Sequence, residues 1–249
     1  MKAWNFASRN IKEILRDPLG IIFCVIFPIA MIGMFQLIGH YTPDAYWFDI
    51  DVLMPGIIVF AFAFVMLYMA ILVSKDRTTS LLSRLYSSPM KTSDYIIGYG
   101  VPGIILGYMQ IIICVIVSYI IAAATGVSLS FGGVLLNFAV DFPIIVVMMA
   151  IGILFGSILS DKSAPGVSSA IITISAVLGG AWMPLETMGS LETVCKFLPW
   201  YPATCMGRMA VAGEYEGFAM YLATDIAYAA VMSVLAIIAF KKMMVKDNK

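Results

Sequence analysis

Long apolar stretches separated by short polar ones dominate the chain. A helix needs about 20 residues to cross about 30 Å of hydrocarbon, and six runs approach or exceed that length. They cover residues 19–39, 54–74, 95–124, 134–159, 166–183 and 218–240. The fifth run is the shortest and leads into GGAWMP, whose glycines and proline interrupt a helix. The pattern predicts an all-α integral membrane protein with six transmembrane helices.

Composition agrees with this class. Of the 249 residues, 61% are hydrophobic and only 12% are charged, whereas a soluble domain has roughly a quarter of its residues charged. A soluble globular protein is therefore excluded. We expect residues 1–249 to form a single transmembrane domain.

The basic residues are unevenly distributed between the predicted loops. With a cytoplasmic N-terminus, thirteen of the fifteen lysines and arginines fall on the inner side, and only Lys196 and Arg208 fall outside. The excess of positive charge in cytoplasmic loops then places both termini in the cytoplasm. The prediction is a multi-pass protein of the cytoplasmic membrane.

Residues 1–18 predict an amphipathic helix lying in the membrane interface, in contact with lipid. Apolar residues share one stripe, and polar and charged residues lie opposite. The stripe contains Trp4, Ala7, Ile11, Ile14 and Leu15, and the opposite face contains Lys2, Arg9, Lys12, Glu13 and Arg16. Pro18 marks a sharp exit into the first span. A frayed, solvated tail is the alternative.

The loop at residues 75–94, between spans two and three, contains a second short amphipathic segment. Leu81, Leu82, Leu85 and Tyr86 share one face of a helix that ends at Pro89. A helix of about ten residues is marginal in water, so its apolar face needs lipid, the rest of the chain or another protein to cover it.

The sequence DRTTSLLSRLYSSPMKTSDYIIGYG resembles the intracellular loop of type-2 ATP-binding-cassette exporter permeases, which move drugs, lipids or polysaccharides. The matching residues are Arg77, Leu82, Leu85, Ser88, Pro89, Tyr95 and Gly98. Asp76 stands where the family often has glutamate, and Thr78 replaces a glycine. A second resemblance is carried by LGGAWMPLETM and FLPWYPAT, through Gly179, Gly180, Pro184, Met188, Leu198 and Pro199. With the six spans, the resemblance covers essentially the whole chain.

The resemblance implies a permease subunit of an ATP-driven exporter rather than an enzyme. The loop then forms a coupling helix that docks on a separate ATPase subunit, and that subunit holds ATP and Mg²⁺. A second permease copy or a paralogue completes the pathway. We expect no cofactor on this chain, and no nucleic acid among its partners. The expected cargo is an amphiphilic or lipid-like substrate or a drug, as in multidrug efflux.

Three sets of residues carry this expectation. The ATPase-coupling set is Arg77, Leu82, Arg84, Leu85, Tyr86 and Pro89; the substrate-path set is Phe60, Phe64, Tyr68, Ser169 and Thr173; the outer-gate set is Gly179, Gly180, Pro184 and Pro199. Ordinary helix packing explains the path residues equally well. The glycines and prolines of the outer set predict a re-entrant helical region over residues 184–217, with an ordinary aromatic-anchored loop as the alternative.

Other motifs carry little chemistry. GSILSDKS, at residues 156–163, matches a phosphate-binding loop except that Asp161 replaces the second glycine, and it follows a membrane helix instead of a strand. His40 is the only histidine and there is no C-x-x-C pair, so no metal site is expected. Cys195 and Cys205 are either free thiols or a disulfide.

Two carboxylates, Asp141 and Asp225, fall within predicted spans, where an ionised side chain is costly. An interfacial position, or pairing with polar neighbours such as Asn137 or Thr224, is the structural interpretation, and a contact with substrate is the functional one. The pair also supports an alternative function, an ion-coupled secondary transporter. A structural membrane anchor is a third possibility.

Overall fold

The computed structural model describes residues 2–79 and 92–247, which form helices and turns without any strand in those ranges. The helices are α1 Lys2–Arg16, α2 Pro18–Ile21, α3 Phe27–Tyr41, α4 Ile50–Thr78, α5 Thr92–Thr125, α6 Phe131–Val140, α7 Phe142–Ile158, α8 Ala164–Leu178, α9 Ser190–Cys195, α10 Trp200–Ala212 and α11 Phe218–Asp247. A π-helical turn, Ile22–Ile26, joins α2 to α3, and 3-10 turns occur at Tyr46–Phe48 and Leu185–Thr187.

Five helical segments of the described chain are long and apolar enough to cross a membrane. They are Ile22–Tyr41, Ile50–Thr78, Ser93–Thr125, Phe131–Ile158 and Phe218–Val245. The predicted all-α membrane fold is therefore confirmed. The predicted fifth span corresponds to α8, whose 15 residues measure about 22 Å. It is shorter than the 18-residue run predicted because the helix stops before Gly179.

Helix α4 is the centre of the fold. Of its most apolar window, 94% of the residues are buried inside the chain, against 11% for α11. Helices α5, α7, α8 and α10 all pack against α4. A helix that is apolar on every side is expected to be surrounded in this way.

The contact between α4 and α7 depends on two glycines one turn apart. A Cβ atom on Gly152 would lie 2.5 Å from the carbonyl oxygen of Met66, and one on Gly156 would lie 2.8 Å from that of Ala70. Both distances are too short for a side chain. The GxxxG spacing therefore allows the two backbones to approach closely, as in other membrane helix pairs.

Helix α1 packs against α5. Its buried residues are Phe6, Ala7, Asn10 and Ile14. Trp4 and Leu15, which belong to the predicted apolar stripe, are 65% and 55% exposed on the chain. The predicted stripe is thus divided between a face that contacts the protein and a face that is left uncovered. The interfacial position of residues 1–18 stays a prediction.

Candidate functional site

A buried carboxylate stands at the end of α4 next to the predicted coupling loop. Asp76 is 1% exposed. The guanidinium of Arg9 donates from Nη1 to Asp76 Oδ2 at 2.7 Å and from Nη2 to Oδ1 at 2.9 Å. Tyr99 Oη donates to Oδ2 at 2.8 Å. Burial opposes the guanidinium charge, but the hydrogen bond and the charge of Asp76 outweigh it and raise the pKa of Arg9.

Further contacts extend this group, which we call the Asp76 cluster: Arg9, Asn10, Glu13, Lys75, Asp76 and Tyr99. Glu13 accepts from Arg9 Nη2 at 2.6 Å and from Lys75 Nζ at 3.2 Å. Asn10, fully buried, donates from Nδ2 to the carbonyl oxygen of Gly98 at 3.0 Å. The cluster ties the end of α4 to α1 and to α5.

The predicted coupling residues are only partly within the described chain. Arg77 belongs to α4 and donates from Nη1 to the carbonyl oxygen of Ser157, on α7, at 3.3 Å. Leu82, Arg84, Leu85, Tyr86 and Pro89 lie outside the described residues. Sequence reasoning missed the role of Asp76, although the acidic position before Arg77 in the resembled loop was a signal for it.

The predicted path residues Phe60 and Phe64 belong to an aromatic column. Phe64 stacks on Phe23 with ring centroids 5.6 Å apart and contacts Phe27 at 4.9 Å. Phe60 packs edge-on against Trp182 at 5.1 Å. The column links the first membrane helix, α4 and the segment after α8.

The other path residues lie on different surfaces. Tyr68 is buried, like Phe60 and Phe64, whereas Ser169 and Thr173 are on the exposed face of α8. Their hydroxyl groups donate to carbonyl oxygens one turn earlier in the helix. Within one chain these five residues do not share a surface, because α8 packs on α4 through other side chains. Their contact with cargo stays a prediction.

The predicted gate residues occupy breaks between helices. Gly179 caps α8, and Gly180 has a φ of +64°, a left-handed conformation that favours glycine. Pro184 precedes the 3-10 turn Leu185–Thr187, and Pro199 precedes α10. The region 184–217 therefore contains helices rather than an extended loop, and its depth in the membrane stays a prediction.

Arg208 holds this region together and was not singled out from the sequence. Its Nη2 donates to the carbonyl oxygen of Gly180 at 2.8 Å, and its Nε donates to that of Val52 at 3.0 Å. Nη1 pairs with Glu186 Oε1 at 3.3 Å. One side chain thus joins α10 to the end of α8, the 3-10 turn and the start of α4. The sequence offered one signal, that Arg208 is one of two basic residues in the predicted outer segments.

Cys195 and Cys205 are free thiols, buried together with Leu185 and Tyr201. Within residues 2–79 and 92–247, no group of three or more histidine, cysteine or acidic side chains is placed to hold a metal ion.

The two carboxylates of the spans are both buried. Asn137 Nδ2 donates to Asp141 Oδ2 at 3.1 Å, which confirms that predicted pairing. The alternative pairing of Asp225 with Thr224 is wrong, because Thr224 Oγ1 donates to the carbonyl oxygen of Met220 instead. Neither carboxyl oxygen of Asp225 has a hydrogen-bond partner among the described residues.

Comparison with known families gives one assignment. The family model described as ABC-2 type transporter matches residues 2–215, which include α1 to α10 and every residue of the three predicted sets. A comparison with curated proteins finds no match. The matched family is a membrane permease domain and is not itself catalytic. The chain therefore belongs to the ABC-2 type transporter family, as a multi-pass membrane permease.

Proposed function

We propose that the chain is the membrane subunit of an ATP-driven exporter. A separate ATPase subunit binds ATP and Mg²⁺ and docks on the predicted coupling helix at residues 78–89. Two permease chains, identical or paralogous, enclose the pathway in the cytoplasmic membrane, with all termini in the cytoplasm. Closure of the ATPase subunits on ATP then changes the pathway from inward-open to outward-open.

The Asp76 cluster is the observation that carries this proposal. Residues 78–89 directly follow the cluster, and α4 is the most buried of the five candidate spans. A displacement of the coupling helix therefore acts first on α4. Because Arg9 and Tyr99 hold Asp76, the same displacement is transmitted to α1 and α5. This arrangement converts movement of a soluble motor into movement of the membrane helices.

The aromatic column supports an amphiphilic cargo. Phe60 and Phe64 are buried in this conformation, and in this proposal their apolar, polarisable rings contact the apolar part of such a molecule once the pathway opens. Trp182 covers the end of the column nearest the predicted outer region. In this proposal Trp182 separates from Phe60 when the pathway opens outward, and the contacts of Arg208 with Gly180 and Val52 hold the closed state.

Binding of the ATPase tests the proposal. The partner is an ATP-binding-cassette ATPase that co-purifies with the permease or whose gene proves to lie beside this one, and it is purified and added to the permease in nanodiscs. Leu85→Asp places a charge on the apolar face of the predicted coupling helix and is expected to weaken binding at least about tenfold. Ser83→Asp adds the same charge to the polar face and serves as the matched control. Equal binding by the two variants and the unmodified permease would remove the coupling helix from the mechanism.

The buried carboxylates favour one second candidate, an ion-coupled secondary transporter using Asp141 and Asp225. Reconstitution separates the candidates. Flux through the permease alone, driven by a proton gradient, supports the secondary transporter, and flux that requires the ATPase supports the exporter. An absence of flux under both conditions fits a structural anchor.

A further inference from the structure

Asp141 and Asp225 form a pair inside the membrane-spanning part of the chain. Asp141 is 1% exposed and Asp225 is fully buried. Helix α7 begins directly after Asp141 and packs against α11, which carries Asp225, and the charge of Asp225 acts on Asp141. Asp141 lies at the break between α6 and α7, about 15 Å along the helix from Phe131, and Asp225 lies about 10 Å along α11 from Phe218. Both are therefore well inside their spans, which are Phe131–Ile158 and Phe218–Val245.

The oxygen atoms around this pair have too few donors. Both oxygens of Asp225 lack a hydrogen-bond partner among the described residues, and so does Oδ1 of Asn137. Asn137 is fully buried, and its Nδ2 is bonded to Asp141. Gly207 of α10 lies next to Oδ1, since a Cβ atom built on this glycine would be 2.7 Å from that oxygen. Buried acceptors in native proteins are normally satisfied.

No basic side chain compensates the pair within the described chain. Among the described residues, the charged group that acts on Asp141 is Asp225, another acid. On α5, the charge of Asp141 acts on Tyr108 and Cys114. A phenol and a thiol are neutral in their ordinary state and cannot balance a negative charge. On α10, Arg208 uses its guanidinium on Val52, Gly180 and Glu186.

The other titratable groups of the packed helices either are engaged elsewhere, stand near the helix ends, or are phenols, such as Tyr68 of α4 and Tyr119 of α5, which never carry a positive charge. On α11, Tyr228 donates to the carbonyl oxygen of Phe197, and Tyr221 packs against the Cys195–Cys205 group. On α4, Asp51 belongs to the first turn, and Lys75, Asp76 and Arg77 belong to the last turn. Helix α8 has no titratable side chain. No side chain of the described residues therefore supplies the positive charge that would balance the pair.

We propose that Asp141, Asp225 and the amide oxygen of Asn137 form a binding site for one monovalent cation, either a proton or an alkali metal ion. Carboxylate and amide oxygens are the ligands that hard cations prefer, and a buried carboxylate is retained only when its charge is neutralised. Complete burial selects a small cation over an organic amine. The site goes beyond the exporter function and does not depend on an ATPase.

The test uses the complete permease in nanodiscs without any ATPase, so its result is separate from the coupling experiment. Thermal unfolding is followed by tryptophan fluorescence in NaCl, KCl or N-methylglucamine chloride at equal ionic strength, and then over a pH series in N-methylglucamine. An alkali ion that binds is expected to raise Tm by about 5–10 °C at about 100 times its Kd. If a proton is the ligand, acidification raises Tm and the alkali ions do not.

Variants assign the effect to the pair. Asp225→Asn is expected to abolish the dependence on the cation, and Asp141→Asn, as a second variant, is expected to do the same. Asp161→Asn removes an exposed carboxylate and should behave like the unmodified chain. Identical responses of the unmodified chain and both pair variants to ions and to pH would overturn the proposal.

An infrared difference experiment observes the carboxyl groups directly. Exchange of the bound alkali ion for N-methylglucamine is expected to shift carboxylate stretching bands. If the ligand is a proton, acidification produces the band of a protonated carboxyl group that Asp225→Asn lacks. Two results together would contradict the site. Ion exchange would leave the carboxyl bands of the unmodified chain unchanged, and acidification would give the same spectrum for the unmodified chain and for Asp225→Asn.

Discussion

Two buried carboxyl sites of this permease differ mainly in their partners. Asp76 at the end of α4 and Asp225 within α11 are 1% and 0% exposed. Asp76 accepts two hydrogen bonds from Arg9 and one from Tyr99. Asp225 accepts none from the described chain, and its charged neighbour is another carboxyl group, Asp141. Two aspartates with nearly the same burial therefore differ: the first receives its hydrogen bonds from the chain, and the second requires an added cation.

The difference separates two roles. The Asp76 cluster is a joint between three helices, because each acceptor is used by a side chain from a neighbouring helix. The Asp141–Asp225 pair has carboxyl oxygens that receive no hydrogen bond from the described chain, which is the property of a site that binds a ligand. Loss of a partner in a joint should lower the free energy of unfolding. A substitution in a ligand site should instead remove the effect of the ligand on stability.

The largest expected effect comes from making Asp76 resemble Asp225. Arg9→Ala leaves the buried carboxylate with Tyr99 alone, and removal of one partner of a buried pair costs several kcal/mol. We expect a loss of about 3 kcal/mol in the free energy of unfolding, at the low end of that range because Arg9 is partly exposed. Denaturant unfolding in detergent measures it.

The matched control for this change is Arg16→Ala, which removes an exposed arginine from the same helix and should cost less than about 0.5 kcal/mol. Equal losses in the two variants would mean that the Asp76 pair contributes no more than a surface charge.

A smaller effect is expected from Tyr99→Phe. This change deletes one hydroxyl donor to Asp76 and keeps both bonds from Arg9, so we expect a loss of about 1 kcal/mol. Tyr41→Phe, at a tyrosine that is 76% exposed, is the control and should have no measurable effect. A Tyr99→Phe protein as stable as the unmodified one would show that the hydroxyl bond is dispensable.

The smallest effect is expected from Asp225→Asn in the absence of alkali ions at neutral pH. Without an alkali ion the buried carboxyl group is neutralised by a proton, so asparagine replaces a neutral group of the same shape. No hydrogen bond from a described residue is lost, and the free energy of unfolding should change by less than about 0.5 kcal/mol. The same substitution at Asp76 should cost about 2 kcal/mol, because it weakens a bidentate charged pair. Unfolding curves recorded side by side measure both. Equal losses at the two positions would remove the distinction between joint and ligand site.

Sequence patterns predicted the fold class and the family because hydrophobic run length and short motifs are local properties. The Asn137–Asp141 bond was predictable for the same reason, since residues four apart share one face of a helix. The Arg9–Asp76 pair, the bonds of Arg208 and the proximity of Asp141 to Asp225 depend on packing between distant helices. No single-sequence pattern encodes those contacts.

The predicted substrate path also depended on packing that a single sequence does not reveal. Phe60 and Ser169 were grouped by residue type, but the rotation of each helix about its axis decides which side chain is exposed. Packing of α8 against α4 leaves Ser169 and Thr173 uncovered and keeps Phe60 inside. A periodic pattern was no guide here, because a helix that is apolar all round has no preferred face.

A soluble ATPase can bind the loop between α4 and α5 only if this loop faces the cytoplasm. Ser87→Cys in this loop and Asp44→Cys in the predicted outer loop are compared by labelling with a membrane-impermeant maleimide, with the unmodified protein as background. The account predicts that Asp44→Cys is labelled in intact cells and that Ser87→Cys is labelled only after the membrane is permeabilised. Labelling of Ser87→Cys in intact cells would contradict the account, because no cytoplasmic ATPase can bind a loop on the outer surface.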